Sequence, residues 1–389
     1  MEKDEIVRIF LEKGSQLDKD SLDYFFQNQE AIETFLHKTD LKMPTITKEI
    51  IEGIIKKPSV EILKQKQKEK TNYKVTDVSD YISKRYEKLH SLIIPKLENQ
   101  SLVSINKIHP NLQKFSLVVV VNTKNFSEQS IDVDDHTGQT KIFLKENDFG
   151  QIVEDEVIGI VCEQNSQRIF GNIIIFPDIP LKKEIAKSKE EAYCLFISDF
   201  HFGHENFLNH SYEKFLEWFK KQSYEKLYIC LLGDTFTDGS DLKKILMHKT
   251  KNSVVISLIG DHDVKTVADY VLTNPATIKI ENVTCLLFHG DFLKPYKNQF
   301  KNLAPEQLVL NFVKKRNINP TFDFNKQIFS EDPYSIDTVP DIIACGHLHK
   351  AGQLNYKGTT ILTTGSFISD PIFWLVNLKT REIIKLDFT

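Results

Sequence analysis

The sequence predicts an α/β sandwich over residues 188–389, two sheets packed face to face and flanked by helices. Upstream it predicts a small β-barrel, and before that an N-terminal helical region. Three observations carry this. Five apolar runs in the second half each stop at an Asp or a His. Five short β-type runs, separated by turn residues, fill residues 100–180. The first 55 residues repeat their apolar positions at helical spacing.

Residues 1–55 are expected to form a small helical bundle. Ile6, Phe10 and Leu11 fall on one helical face, and Leu22, Phe25, Phe26, Ile32, Phe35 and Leu36 recur at the same spacing. Thr47 is placed to cap a run carrying Ile50, Ile51, Ile54 and Ile55. Residues 56–98 read as a solvated, lysine-rich linker followed by a helix. The linker contains Lys-Gln-Lys-Gln-Lys-Glu-Lys at 64–70, and the helix, Val75 to Leu97, turns Tyr81, Tyr86, Leu89 and Leu92 inward.

In residues 99–182 the strands start at Leu117, Ile131, Lys141, Val157 and Asn172. Five short strands in so few residues suit an OB-type barrel. Such barrels bind single strands by stacking bases on aromatics. Phe126 and Phe143 are the few candidates here, so docking is the favoured role. His136, in Asp135-His136-Thr137-Gly138, is read as a turn residue.

Residues 188–389 interleave apolar strands with helices such as Asn209 to Lys221, whose buried face is Phe215, Trp218 and Phe219. Runs at Thr360, Ile372 and Ile383 add further strands.

Composition narrows the function. A net charge of -4 excludes a basic field over the whole molecule, so nucleic acid contact must be local or metal-mediated. The cysteines, Cys162, Cys194, Cys230, Cys285 and Cys345, form no CxxC pair, and four lie inside apolar runs. They are expected to be reduced core thiols of a cytoplasmic protein. No apolar run approaches the ~20 residues of a membrane span. The start, Met1-Glu2-Lys3-Asp4-Glu5, does not read as a signal peptide.

The chemistry lies where the five runs stop. Tyr193–Ile197 leads into Asp199 and His201. Lys226–Leu232 leads into Gly233-Asp234. Ser253–Ile259 leads into Gly260-Asp261-His262-Asp263. Val283–Phe288 leads into His289, and Asp341–Cys345 into Gly346-His347-Leu348-His349. Strand ends are where open α/β sheets hold ligands. Mixed imidazole and carboxylate groups suit divalent transition metals. One His-x-His or one Gly-Asp is an ordinary turn; the signal is the ordered set Asp199, His201, Asp234, Asp261, His289, His347 and His349.

That order, Asp-x-His, Gly-Asp, Gly-(Asn)-His-Asp, His, Gly-His-x-His, resembles the calcineurin-like metallophosphoesterase superfamily. The upstream barrel and helices, with Val339-Pro340 and Thr364-Gly365-Ser366 around the last motif, make most of the chain similar to the small subunits of archaeal D-family DNA polymerases (DNA polymerase II small subunit). The resemblance implies two divalent ions, with manganese favoured. Asp199, His201 and His349 would hold the first, Asp261, His289 and His347 the second, and Asp234 would bridge them. Paired ions polarise a phosphodiester and ease deprotonation of a water near neutral pH. His262 would serve the leaving oxygen, with Asp263 orienting it. His204 is a candidate for the substrate phosphate. The implied activity is 3'-to-5' exonucleolytic proofreading, beside a separate large subunit that polymerises.

Two departures stand out. Asp261 replaces the family's Asn, adding negative charge beside an anionic substrate. After Gly233-Asp234, Thr237 precedes Asp238, which is read as a loop residue and not a ligand. His37, His90, His109, His210 and His248 are read as surface or structural. Two alternatives remain: a catalytically weak or inactive scaffold, like the eukaryotic polymerase B subunits that resemble this architecture but lack the ligands, and a stand-alone phosphatase.

Overall fold

In the computed structural model the apolar runs of the second half pair into two six-stranded sheets. The structure describes residues 2–39, 43–55, 59–66, 74–98, 100–165, 168–181, 184–235, 253–260, 263, 268–322, 329 and 331–389. The chain divides into two compact units, one of Met1–Ser59 and one holding nearly everything from Val60 on.

The first unit contains α1 (Lys3–Glu12), β1 (Gln16–Leu17), α2 (Lys19–Gln27), α3 (Glu30–Lys38), β2 (Thr45–Ile46) and α4 (Lys48–Ile55). The Asp18 carboxylate accepts the Ser21 N–H at 2.7 Å and so caps α2. Ile6, Phe10, Phe25, Ile32, Phe35, Ile46 and Ile51 form its core. Leu11 and Phe26, expected inside, are exposed. Each follows a core phenylalanine, and a step of one residue turns a helix by about 100°.

The second unit opens with a departure. Val60–Gln65, expected as part of a solvated linker, is β3, antiparallel to β13 (Ala276–Ile280) at the edge of a sheet. An edge strand buries little, so no apolar alternation marks it, and Ile62 and Leu63 stay exposed. α5 (Val75–Ile93) follows, with Tyr81, Tyr86 and Leu89 buried and Leu92 half-buried.

β4 (Lys114–Asn125), β5 (Ser130–Asp135), β6 (Gly138–Leu144), β7 (Val157–Asn165) and β8 (Arg168–Ile175) close into a barrel in the order β4-β5-β6-β8-β7. A short helix, α6 (Glu146–Gln151), joins β6 to β7, and β6 runs parallel to β8. α5 lies on the outside of this barrel, its Ile93 and, in the turn that follows, Leu97 packing with Val118 and Val157.

The sandwich begins at β9 (Tyr193–Ile197), followed by α7 (Asn209–Lys220), β10 (Leu227–Leu231), β11 (Ser253–Leu258) and β12 (Tyr270–Leu272). After β13 come β14 (Val283–Phe288), α8 (Pro305–Lys314), β15 (Ile342–Cys345), β16 (Gly352–Tyr356), β17 (Thr359–Thr363), β18 (Ile372–Asn377) and β19 (Ile383–Asp387). One sheet runs β12-β11-β10-β9-β18-β19, the other β16-β17-β15-β14-β13-β3.

Alternation places the layers. Cys194 and Phe196 face the core between the sheets, while Leu195 and Ile197 face α7, with Phe215 and Phe219. Behind the second sheet, α8 packs Leu308, Phe312 and Val313 on Phe288, Ile343 and Ile361. All five cysteines are buried and none forms a disulfide. Among the described residues no helix is long and apolar enough to cross a membrane.

Candidate metal centre

β9 and β10 run parallel, as do β14, β15 and β17, so their carboxyl ends gather at one edge of the sandwich. Five of the candidate ligands sit there in the left-handed backbone region: Asp199 (φ 54°), His201 (50°), Asp234 (50°), His347 (63°) and His349 (53°). Residues other than glycine enter that region at a cost. Here each strand must turn at once, and the turn aims the side chain across the sheet edge.

The side chains form two adjoining groups, Asp199-His201-His349 and Asp199-Asp234-His289-His347, each with its ligand atoms within 4.8 Å of one another. In the first, His201 Nε2 lies 3.1 Å from His349 Nε2, and the two reach Asp199 Oδ1 at 3.4 and 3.1 Å. In the second, His289 Nε2 lies 3.0 Å from His347 Nδ1 and 3.3 Å from Asp234 Oδ2. Asp234 Oδ2 is also 4.0 Å from His201 Nε2, between the groups.

This donor set fits divalent cations. Two nitrogens held at about 2.1 Å from one ion, near right angles, lie roughly 3 Å apart. The observed ring separations match that. Asp199, Asp234 and His289 are buried, whereas His201 and His349 form the open rim. Buried acids at this density require positive charge.

The protonation pattern agrees. Burial works against charge on His289, but the Asp234 hydrogen bond and the Asp199 and Asp234 charges push its pKa up to about 9. Its Nδ1 lies 2.9 Å from the Leu232 carbonyl, an acceptor only, so Nδ1 carries a proton and Nε2 faces the site. Burial raises the Asp199 carboxyl, yet hydrogen bonds from His201 and His349 hold it well below the usual carboxylate range.

Comparison with known proteins agrees with this chemistry. Residues 193–362 match the calcineurin-like phosphoesterase family. The chain carries a calcineurin-like phosphoesterase domain. It is similar over most of its length to archaeal DNA polymerase II small subunits. The Archaeoglobus fulgidus protein is 26% identical, over 75% of this chain and 70% of its own. The Thermoplasma acidophilum protein is 24% identical, over 97% and 94%. A solved archaeal phosphodiesterase is 12% identical, with a TM-score of 0.32, covering 50% of this chain and 99% of that one.

Within the phosphoesterase domain the structure brings together Asp199, His201, Asp234, His289, His347 and His349. Asp261 and His262, with Asp238 and His248, lie outside the described residues. Asp263 is described: its carboxylate accepts the N–H of Thr235 at 2.8 Å and of Gly260 at 2.7 Å, tying the β11 loop to the Asp234 turn. His204 is exposed beside His201, ring centroids 6.3 Å apart, and its Nδ1 accepts the Asn206 N–H at 3.1 Å. His136 sits in the β5–β6 turn, edge-on to Tyr86.

Several supporting residues of the phosphoesterase domain were not anticipated. Asn274 Oδ1 accepts the His289 N–H at 3.0 Å. A Cβ on Gly346 would come within 2.7 Å of Ser198 Oγ, and one on Gly233 within 2.7 Å of His289 Nδ1. The glycines before Asp234 and His347 were legible as part of the motif; the reason for them, backbone packed against the opposite ligands, was not.

Proposed function

We propose that the chain is the small, exonuclease subunit of a D-family-type DNA polymerase, removing nucleotides from DNA 3' ends for proofreading. What supports this most is one arrangement: six ligands from two sheets converge on two adjoining groups, in a chain whose relatives are named DNA polymerase II small subunits. Asp199, His201 and His349 hold one divalent cation. His289 and His347, with Asp261, hold the other, and Asp234 lies between. Manganese is the favoured metal. The two cations, when bound, supply Lewis-acid activation of the phosphodiester and of water.

The chain's own groups orient the reaction. His201 and His349 form the solvent side, so the scissile linkage approaches there. His204, with Nδ1 engaged by Asn206, presents Nε2–H as a donor to a phosphate oxygen. His262 delivers a proton to the leaving oxygen, and Asp263 secures the loop that carries it.

The domain assignment follows the same reading: helical residues 1–55, a connecting segment 56–98 that includes β3, an OB-type barrel at 99–182, and the phosphoesterase at 188–389. The barrel's strand order and its parallel β6–β8 pair support the OB-type reading. The barrel serves docking. The partner is a large subunit that carries polymerisation, in a cytoplasmic heterodimer.

The test is metal-dependent cleavage. Purified chain with Mn2+ is given 3'-labelled single-stranded and mismatched-primer DNA, beside His201→Ala. Shortening from the 3' end that the variant lacks is expected. No cleavage above the variant would leave a scaffold. Cleavage of a generic phosphomonoester without DNA cleavage would indicate a phosphatase.

A further inference from the structure

Asp199 borders both ligand groups, so the orientation of its carboxylate decides which oxygen meets a cation. Its two oxygens are treated differently. Oδ1 faces the His201 and His349 ring nitrogens. Oδ2 accepts the His347 N–H at 2.8 Å and the hydroxyl of Ser198. Ser198 is fully buried, as is Thr364, whose Oγ1 lies 2.6 Å from Ser198 Oγ.

The direction of these bonds follows from donor counting. An ionised carboxylate only accepts, so the single Ser198 proton goes to Asp199. Thr364 must then donate to Ser198. Its alternative acceptor, the Cys345 carbonyl, is farther at 3.2 Å and already takes the Thr364 N–H at 2.9 Å. The result is a one-way chain, Thr364 to Ser198 to Asp199 Oδ2. Ser198 follows β9 in one sheet and Thr364 follows β17 in the other, so the chain also ties the two sheets beneath the ligands.

We propose that Ser198 and Thr364 are positioning residues that immobilise Asp199 Oδ2 and so reserve Oδ1 for the cation held with His201 and His349. The proposal rests on the metal-centre reading. Groups that hold a metal ligand in this way are worth about 10- to 100-fold in metal affinity. Removing the hydroxyls leaves Oδ2 to the His347 N–H, loosens the carboxylate and weakens the hold on the cation it serves.

The experiment titrates chelator-treated full-length chain with Mn2+, reading free Mn2+ by electron paramagnetic resonance and metal-free stability by thermal unfolding. Wild type, Ser198→Ala, Thr364→Val and Thr364→Ser are compared. Thr364→Val is nearly isosteric, which protects the test should Ser198→Ala fold poorly. The expected result is two bound ions in wild type. In Ser198→Ala one binding step weakens about 10- to 100-fold, less so in Thr364→Val, and Thr364→Ser restores it. Unchanged affinity in a folded Thr364→Val overturns the proposal, as does equal weakening by Thr364→Ser. Wild type that takes up no Mn2+ overturns the metal-centre reading itself, and this proposal with it.

Discussion

The candidate ligands sit at turns with strained backbone. Asp199, His201, Asp234, His347 and His349 all have φ between 50° and 63°, where glycine is at ease and other residues are not. This gives a direct test. At His349 both Ala and Gly abolish the imidazole, but Gly accepts the backbone. Metal-free His349→Gly is expected to be more stable than His349→Ala by about 1 kcal/mol, read by denaturant unfolding. A second prediction concerns pH. His289 has its pKa raised to about 9 in the metal-free fold, against about 6.5 in the unfolded chain. Its protonated form therefore stabilises the metal-free protein fully below about pH 6.5, and that contribution is lost as pH rises through 9. Metal requires the neutral ring, so apparent Mn2+ affinity is expected to rise with pH up to about 9, with proton release on binding. Isothermal titration in buffers of different ionisation enthalpy reads that release.

Between elements, buried charges join the barrel to the sandwich. Lys315, just past α8, donates to Glu156 at 2.6 Å and to the Gln151 carbonyl at 2.8 Å, and both side chains are buried. Such a pair adds little over apolar packing, but breaking it strands a charge, at about 3–5 kcal/mol. Lys315→Met is therefore expected to lower the unfolding midpoint sharply, and Lys315→Met with Glu156→Leu to recover much of the loss. α5 is anchored in the same manner: buried Arg85 bonds Asp332 at 2.8 Å and Tyr81 at 3.0 Å. Neither pair was legible in the sequence, since Arg85 meets Asp332 and Lys315 meets Glu156 across long stretches of chain. β3 was hidden for a related reason. A strand that lies at a sheet edge shows no strong alternation, and its partner is some two hundred residues away.

At the scale of the molecule, every described candidate ligand lies in the second unit. A chain beginning at Ser59 is expected to keep Mn2+ binding, measured by the same titration. Cation loading is expected to raise the unfolding temperature of either chain. At a metal concentration 100 times Kd the gain is about 2.7 kcal/mol, and chelation should abolish it. The phosphoesterase strands could be read from the sequence, because they depend on local periodicity. The candidate ligands were legible only as an ordered set, since a single carboxylate or imidazole after an apolar run is an ordinary turn. The tertiary structure alone decided that Asp199 borders both groups, that Ser198 and Thr364 meet beneath it, and that β3 completes the second sheet. These are contacts between segments far apart in the chain, and strand order and register, which local pattern does not encode, bring them together.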